Sequence, residues 1–458
     1  MTTTDTTPLP ARQMEPIRLD NLLINFTSEF LRMWDTDGSR AKPAAFWRPT
    51  PAPDLLPGYF PLGDVVAPGL GNINGNKVVA VVCESPTPSV DAGKGKALRS
   101  PDDFELIWRD SGSGSKKDGA VWRPIPPAGY VALGSVCSNG HEKPSLNSIR
   151  CVRADLVIAS SASDPLWNDK GSGARQSISA WGALPPAAAA SGEIYLAPGT
   201  FVGFNGYSKP ADLQVHSLRL QIPLIINPRP VAPLLCGITP TALDLPQQPT
   251  FMASLPWFTV KDPLLAPLEQ LHTSPFYTLQ RTDKYVLVGH AHNSESTSQT
   301  FRWTAYREQR TDGLRAFTNS TSVEFGAQWQ TNVRTPFLFS ARLGHEFTQC
   351  EMHSNEWLNT AAIEVVAVVD GGKSVAAYLI QSDYGLLRAD GTAVANLFSY
   401  TAGSSLHISQ YTSEVPENIV PATQPVATET PVDIAEMEQT PTPASTEQDV
   451  VSATDSAP

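Results

Sequence analysis

From Val323 to Phe347 the chain alternates, one parity largely apolar and the other largely polar. Val323, Phe325, Trp329, Val333, Phe337, Phe339, Leu343 and Phe347 fall on one parity, and Glu324, Gln328, Gln330, Asn332, Arg334, Ser340, Arg342 and Glu346 on the other. A period of two is the pattern of a β-strand with one apolar and one polar face. Strands of globular domains run about five or six residues, so a run of 25 residues predicts a hairpin. Its tip is expected at Asn332–Pro336, where proline interrupts pairing. Each arm then has roughly twelve residues, and about nine to eleven suffice for a strand to cross a bilayer. The flanks SESTSQT (294–300) and NSTS (319–322) are polar, strand-compatible text that commits to no core. An ordinary β-sandwich produces the same alternation, and that reading stays open.

Upstream the pattern is repetitive. Trp34, Trp108 and Trp167 are each followed four residues later by Gly38, Gly112 and Gly171, and then by Ser39, Ser113 and Ser172. A second tryptophan follows at Trp47, Trp122 and Trp181. Then come Tyr59 with Gly63, Tyr130 with Gly134, and Tyr195 with Gly199. Copies one and two read Trp-Arg-Pro at the second tryptophan, where copy three has Gly182 and Ala183. Short apolar runs such as 104–108, punctuated by Gly, Pro, Ser and Asp, predict strands and turns. Three such units, each with one apolar face, bury it by closing around a shared axis, and a threefold β-prism is the simplest such form. The tryptophans are expected in its core and the Gly-Ser loops at its rim.

The ordered string of Trp-Asp-Gly-Ser, Trp-Arg-Pro, Gly-Tyr and Leu-Gly, followed by KPSLNSIRCVRADL (143–156), resembles the vacuolar protein sorting 62 family over roughly residues 20–222. The alternating segment and SPFYTLQRTDKYVLVGHAHNSESTSQT (274–300) resemble aerolysin-type β-pore-forming toxins, including their insecticidal branches, over about 255–413. The two resemblances imply an all-β chain: a threefold β-prism-like N-terminal domain, then an elongated aerolysin-like β-sandwich domain. Expected boundaries are a flexible N-terminus (1–19), the prism (20–222), a proline-rich linker (223–257), the pore-forming domain (258–413) and an acidic disordered tail (414–458). Val323, Phe325, Trp329, Val333, Phe337 and Phe339 are then the membrane-inserting side chains.

Composition sharpens this picture. Proline, at 41 of 458 residues, is about twice ordinary usage and disfavours long helices. The net charge of −12 is concentrated in the tail. Residues 414–458 hold six Glu, three Asp and no Lys or Arg, which leaves −3 for the rest. The folded part therefore has no basic stripe for nucleic acid. The tail reads either as a solubilising segment or as a removable propeptide. No apolar h-region follows Met1, so release without a Sec signal is expected. No apolar run reaches 18 residues, so no membrane-spanning helix is expected. The five cysteines are far apart with no CxxC, which fits neither a zinc site nor a disulfide framework.

Catalytic chemistry finds no purchase. SGSGSKK (111–117) and AGKGKALRS (92–100) both miss P-loop spacing, and neither a GxSxG elbow nor HExxH occurs. His290 and His292 share a strand face but lack a third ligand. Asp37-Gly38-Ser39, Asp110 with Gly112-Ser113, and Asp169 with Gly171-Ser172 are candidate binding loops at the rim. A turn-capping aspartate that bonds to amides of its own loop accounts for the pattern without a ligand. The expectation is a non-enzymatic protein without metal or cofactor. Its prism binds a cell-surface glycan, lipid or receptor, and the chain is soluble until it assembles as a homo-oligomer in the target membrane. A non-lytic trafficking or lectin-like binding protein is the alternative.

Overall fold

The computed structural model describes residues 14–211, 213–233, 235, 237, 239–240, 248–305, 311–325, 329–330, 337–348, 362–401 and 405–412. Each repeat folds into two small antiparallel sheets. In the first sheet the two tryptophan-bearing strands pair with a third. These are Phe30–Asp35, Ala44–Pro49 and Val65–Pro68 in copy one, and Asp103–Arg109, Gly119–Ile125 and Val136–Asn139 in copy two. Copy three uses Val157–Asn168 from Ser161 onward, Ser179–Leu184 and Val202–Phe204. The second sheet joins Leu22–Thr27, Val79–Glu84 and Phe60–Pro61 in copy one, and Leu98–Arg99, Cys151–Arg153 and Tyr130–Val131 in copy two. In copy three the start of 157–168 pairs with Val215–Gln221, which pairs with Glu193–Leu196.

The copies close cyclically, twice. The Asp64 amide donates to the Ser135 carbonyl (2.9 Å), Ser135 to Phe201 (2.7 Å) and Phe201 back to Asp64 (3.0 Å). A side chain cannot fit inside that ring. A Cβ on Gly63 would lie 2.7 Å from the Gly134 Cα, and one on Gly134 would lie 2.8 Å from the Thr200 Cβ. Toward the other end, the indoles of Trp34, Trp108 and Trp167 pack against one another and against Phe46 and Phe201. Each donates its Nε1–H to the next copy: Trp34 to Lys117 O, Trp108 to Gln176 O and Trp167 to Lys42 O, at 2.8–2.9 Å.

The second domain is built on two long paired strands, Phe276–His292 of 17 residues and Lys373–Leu387 of 15. Phe251–Pro256 and Leu224–Ile226 extend that sheet on one side, and Phe398–Thr401 and His407–Thr412 on the other. Two strands thus lie where a linker over 223–257 is expected, because proline density masks the short apolar runs LII and FMASL. The flexible segment 1–19 is also too long, since Ile17–Leu19 pairs with Leu22–Thr27 and buries Met14 and Ile17. A two-stranded ribbon, Gln299–Ala305 with Ile363–Val369, packs on the long pair through two small clusters around Leu379 and Val375. Residues 319–321 belong to a helix, Thr311–Thr321, whose Leu314 and Phe317 are buried, rather than to a polar strand.

One large core runs from Leu22, Ile24 and Phe26 of the prism to Trp257, Phe258 and Tyr384 of the second domain. The two parts therefore form one compact unit.

Two predictions follow from these closures. Gly134→Ala drives a methyl into Thr200, and overpacking of that kind costs about 1–3 kcal/mol or more, read as a lowered urea midpoint with Gly71→Ala, whose methyl meets nothing within 4 Å, as control. Asp20 ties copy one to Arg153 of copy two (2.7 Å) and accepts from the Ser89 hydroxyl (2.6 Å). The Ser89 bond, with Arg153 and the Val90 amide, outweighs burial and holds the carboxyl at about 2 instead of 3.8. A depressed folded pKa adds stability that is present above the unfolded value and is lost as pH falls through the folded one. Urea midpoints should therefore drop between pH 4 and pH 2 more steeply for the native chain than for Asp20→Asn.

Candidate recognition end and membrane-active segment

The three Gly-Ser loops converge at the tryptophan end of the prism, but their polar side chains turn inward. Ser39 Oγ accepts from the Ala41 amide, Ser113 Oγ from Ser115 and Ser172 Oγ from Ala174, at 3.0–3.1 Å. Asp169 accepts from the Ile178 amide and the Ser172 hydroxyl. Asp110, Ser113, Asp169 and Ser172 are buried. Gly38, Gly112 and Gly171 hold φ of 83–89°, a left-handed geometry that glycine adopts without strain. Among the nine candidate ligand residues only Asp37 offers a charged group to solvent, and it pairs with Lys116 of copy two at 2.9 Å. The loops thus bond within themselves and from one copy to the next, as Ser115 does to the Asp35 carbonyl and Lys116 to Asp37. Burial pushes the Asp110 carboxyl up against the Ser113 bond. Among the described residues no group of three His, Cys, Asp or Glu could hold a metal.

The alternating segment is the seam between the domains. Trp329–Gln330 pairs with Phe339–Ala341, which pairs in turn with Glu193–Leu196 of copy three. Val323, Phe325, Trp329, Phe337 and Phe339 are all buried in the shared core. Phe337 lies between Phe26 of the prism (5.2 Å) and Trp257 and Phe258 of the second domain (both 5.9 Å). Phe325 packs on Tyr384 and Phe398. Val333 lies outside the described residues. In this state the apolar parity faces protein, which periodicity alone cannot distinguish from lipid.

Two features escaped the reading of the sequence. The first is a register. The outer ribbon pairs Gln299 with Val369 and Ala305 with Ile363, and the inner hairpin pairs Trp329 with Ala341. The two sets of partners are centred within one residue of each other, at 334 and 335, and odd residues face odd residues in both. The second is an ion pair on the joint between copies one and two. Arg48 holds Asp64 through both nitrogens (2.9 and 3.0 Å) and donates to the Cys137 carbonyl (2.7 Å), while the Cys137 amide donates to Asp64 (2.6 Å). Burial raises the Asp64 carboxyl and Arg48 lowers it. Three donors on two oxygens mark it as the carboxylate.

The family described as vacuolar protein sorting-associated protein 62 matches residues 12–274, which takes in the prism and the first strands of the second domain. Among solved structures the chain is similar to GNIP1Aa from Chromobacterium piscinae, with 26% identity and a TM-score of 0.35 over 44% of this chain and 37% of that one. It is also similar to Cry35Ab1, with 10% identity and a TM-score of 0.28 over 69% of this chain and 89% of that one. The chain thus spans little more than a third of GNIP1Aa. No curated protein sequence matches it.

If the loops lock the prism, the triple variant Ser39→Ala, Ser113→Ala, Ser172→Ala loses stability, about 0.5–1.5 kcal/mol for each hydroxyl. Its binding to cell surfaces, read by flow cytometry of labelled protein, is expected to match that of the native chain. Lost binding with an unchanged melting temperature would return the loops to recognition.

Proposed function

We propose, for a chain that belongs to the vacuolar protein sorting-associated protein 62 family, a pore-forming, toxin-like function without enzymatic activity. Its prism binds a cell surface, and its second domain oligomerises and inserts a β-hairpin into the membrane. The observation that carries this reading is the shared register. A hairpin continued from the ribbon 299–305/363–369 in its own pairing turns at 334, and the inner pair 329–330/340–341 lies two residues out of that register, a shift that keeps odd residues facing odd. Phe301, Trp303, Val365 and Ala367 then share a face with Val323, Phe325, Trp329, Phe337 and Phe339. The alternating stretch 323–347 around the turn gives roughly twelve residues per arm, which suits a strand that crosses a bilayer. The opposite face is polar and suits a water-filled lumen. Oligomerisation supplies the closed barrel that leaves no edge amide unpaired in lipid. The resemblance of 255–413 to aerolysin-type toxins, their insecticidal branches included, points the same way.

A second reading has an observation of its own. The side chains that would enter the membrane complete the interdomain core, as they would in a non-lytic trafficking or lectin-like binding protein whose second domain stays as it is.

The pair Ile194→Cys, Ala341→Cys separates the two. These residues face each other across the joint between copy three and the inner hairpin, so a disulfide there holds the hairpin in the seam. The expected result is that oxidised protein binds cells or liposomes without releasing trapped dye, and that reduction restores release. Equal release from both redox forms sinks the proposed hairpin, and no release from native protein leaves the second reading.

A further inference from the structure

The threefold symmetry of the prism is broken at the joints between copies, and the break leaves one joint open. Arg48 of copy one follows the second tryptophan and is buried against Asp64. Arg123 holds the same place in copy two, but the residue equivalent to Asp64 is Ser135. Ser135 Oγ takes over the backbone bond, accepting from Gly203 as Asp64 accepts from Cys137. It is too short and carries no charge to hold the guanidinium. Arg123 instead meets Glu105 at the surface (3.2 Å), with both side chains well exposed, a kind of pair that solvent screens and a ligand readily displaces. Copy three has Gly182 and no arginine.

The joint between copies two and three is a groove of about 480 Å³, and none of its described lining residues is acidic. Arg123 sits on one wall with Pro124, Pro126 and Tyr130, and Phe204 and His216 lie on the other. Burial pushes the His216 imidazole down, toward its neutral form, and its Nδ1 has no hydrogen-bond partner among the described residues. Such a site lacks one thing that its counterpart has, a carboxylate. It adds ring-sized apolar walls and polar groups at Ser135, Gln214 and His216.

We propose that this groove binds a carboxylated sugar, a uronic or sialic type of residue of a cell-surface glycan, whose carboxylate stands where Asp64 stands in the neighbouring joint. The planar fork of Arg123 matches a carboxylate through two hydrogen bonds. Phe204 and Tyr130 present apolar surface to a sugar ring, and the exposed Gln214 offers its amide to a hydroxyl. The groove size is that of sites for single small ligands. The proposal rests on the reading of the prism as a recognition domain and is independent of whether the hairpin inserts.

Titrating purified full-length chain with glucuronate, N-acetylneuraminate, glucose and acetate, followed by saturation-transfer NMR, tests it without a membrane. The acidic sugars are expected to bind, with glucose at least about tenfold weaker, the scale of one lost charged hydrogen bond, and acetate weaker because it lacks the ring that the apolar walls hold. Arg123→Gln should abolish the preference. Ser135→Asp, which rebuilds the internal partner of Arg48 for Arg123, should also abolish it while leaving the fold intact by circular dichroism. Glucose binding as tightly as glucuronate, acetate competing on equal terms, no binding of any sugar, or an unchanged preference in both variants would each overturn the assignment. Loss of dye release with the sugar preference intact would count against the pore alone.

Discussion

Three backbone hydrogen bonds around one axis, from Asp64 to Ser135 to Phe201 and back, constrain everything else in the prism. Because the ring is made of amides and carbonyls, it demands glycine beside it, at Gly63 and Gly134, and little of the side chains that radiate from it. The three radial positions are therefore free to differ, and they do: an aspartate, a serine and a phenylalanine. The tryptophan ring at the other end works in the same way, with each indole closing on a carbonyl of the next copy. A scaffold closed by backbone and indole keeps its geometry while its joints diverge into a filled joint, an open one and one without arginine. Divergence at fixed geometry is how a repeated unit acquires a single specific site.

The same asymmetry decides where the second domain docks. In copies one and two the strand at the tyrosine is two residues long, Phe60–Pro61 and Tyr130–Val131. In copy three it is Glu193–Leu196, long enough to offer an edge, and Phe339–Ala341 pairs with it. The pairing covers an exposed edge, which soluble proteins rarely leave bare. It is framed by backbone bonds from Gly192 to Arg342 and from Arg342 to Glu193. The arginine-bridged Glu193 then holds Tyr195 and Arg219 at the base of the joint.

Much of this was legible in the residues. The repeat, the burial of Trp34, Trp108 and Trp167, and the all-β class follow from spacing and turn chemistry, because those features are local. The change from Asp64 to Ser135 was also present in the aligned copies, but it acquires meaning only when Arg48 is seen to need a partner. What stayed hidden was non-local. Phe337 carries the same parity whether it meets Phe26, Trp257 or a lipid chain. Thr311–Thr321 is short, polar and interrupted by Gly313, so its helical period rests on Leu314 and Phe317 alone. The strands Leu224–Ile226 and Phe251–Pro256 were hidden by the prolines around them, since proline at a strand end is compatible with an edge.

The seam also sets the energetics that any insertion must obey. Val323, Phe325, Trp329, Phe337 and Phe339 are already out of water, so moving them into lipid gains little of the roughly 25 cal/mol per Å² that burial from water provides. Their departure strips Phe26, Trp257 and Phe258 of their partners, and an emptied aromatic core costs several kcal/mol for each large side chain lost, about 3–5 on the scale of truncated Phe and Trp. The driving force for insertion therefore has to come from elsewhere: from the backbone pairs that a closed barrel completes and from contacts between neighbouring chains. Both exist only in an oligomer. On the proposed function, a lone molecule would be held shut by its own core and would open where crowding on a surface made assembly more favourable than the seam. That proposal therefore needs only concentration at the membrane to couple recognition by the prism to insertion by the hairpin, and no conformational signal passing between them.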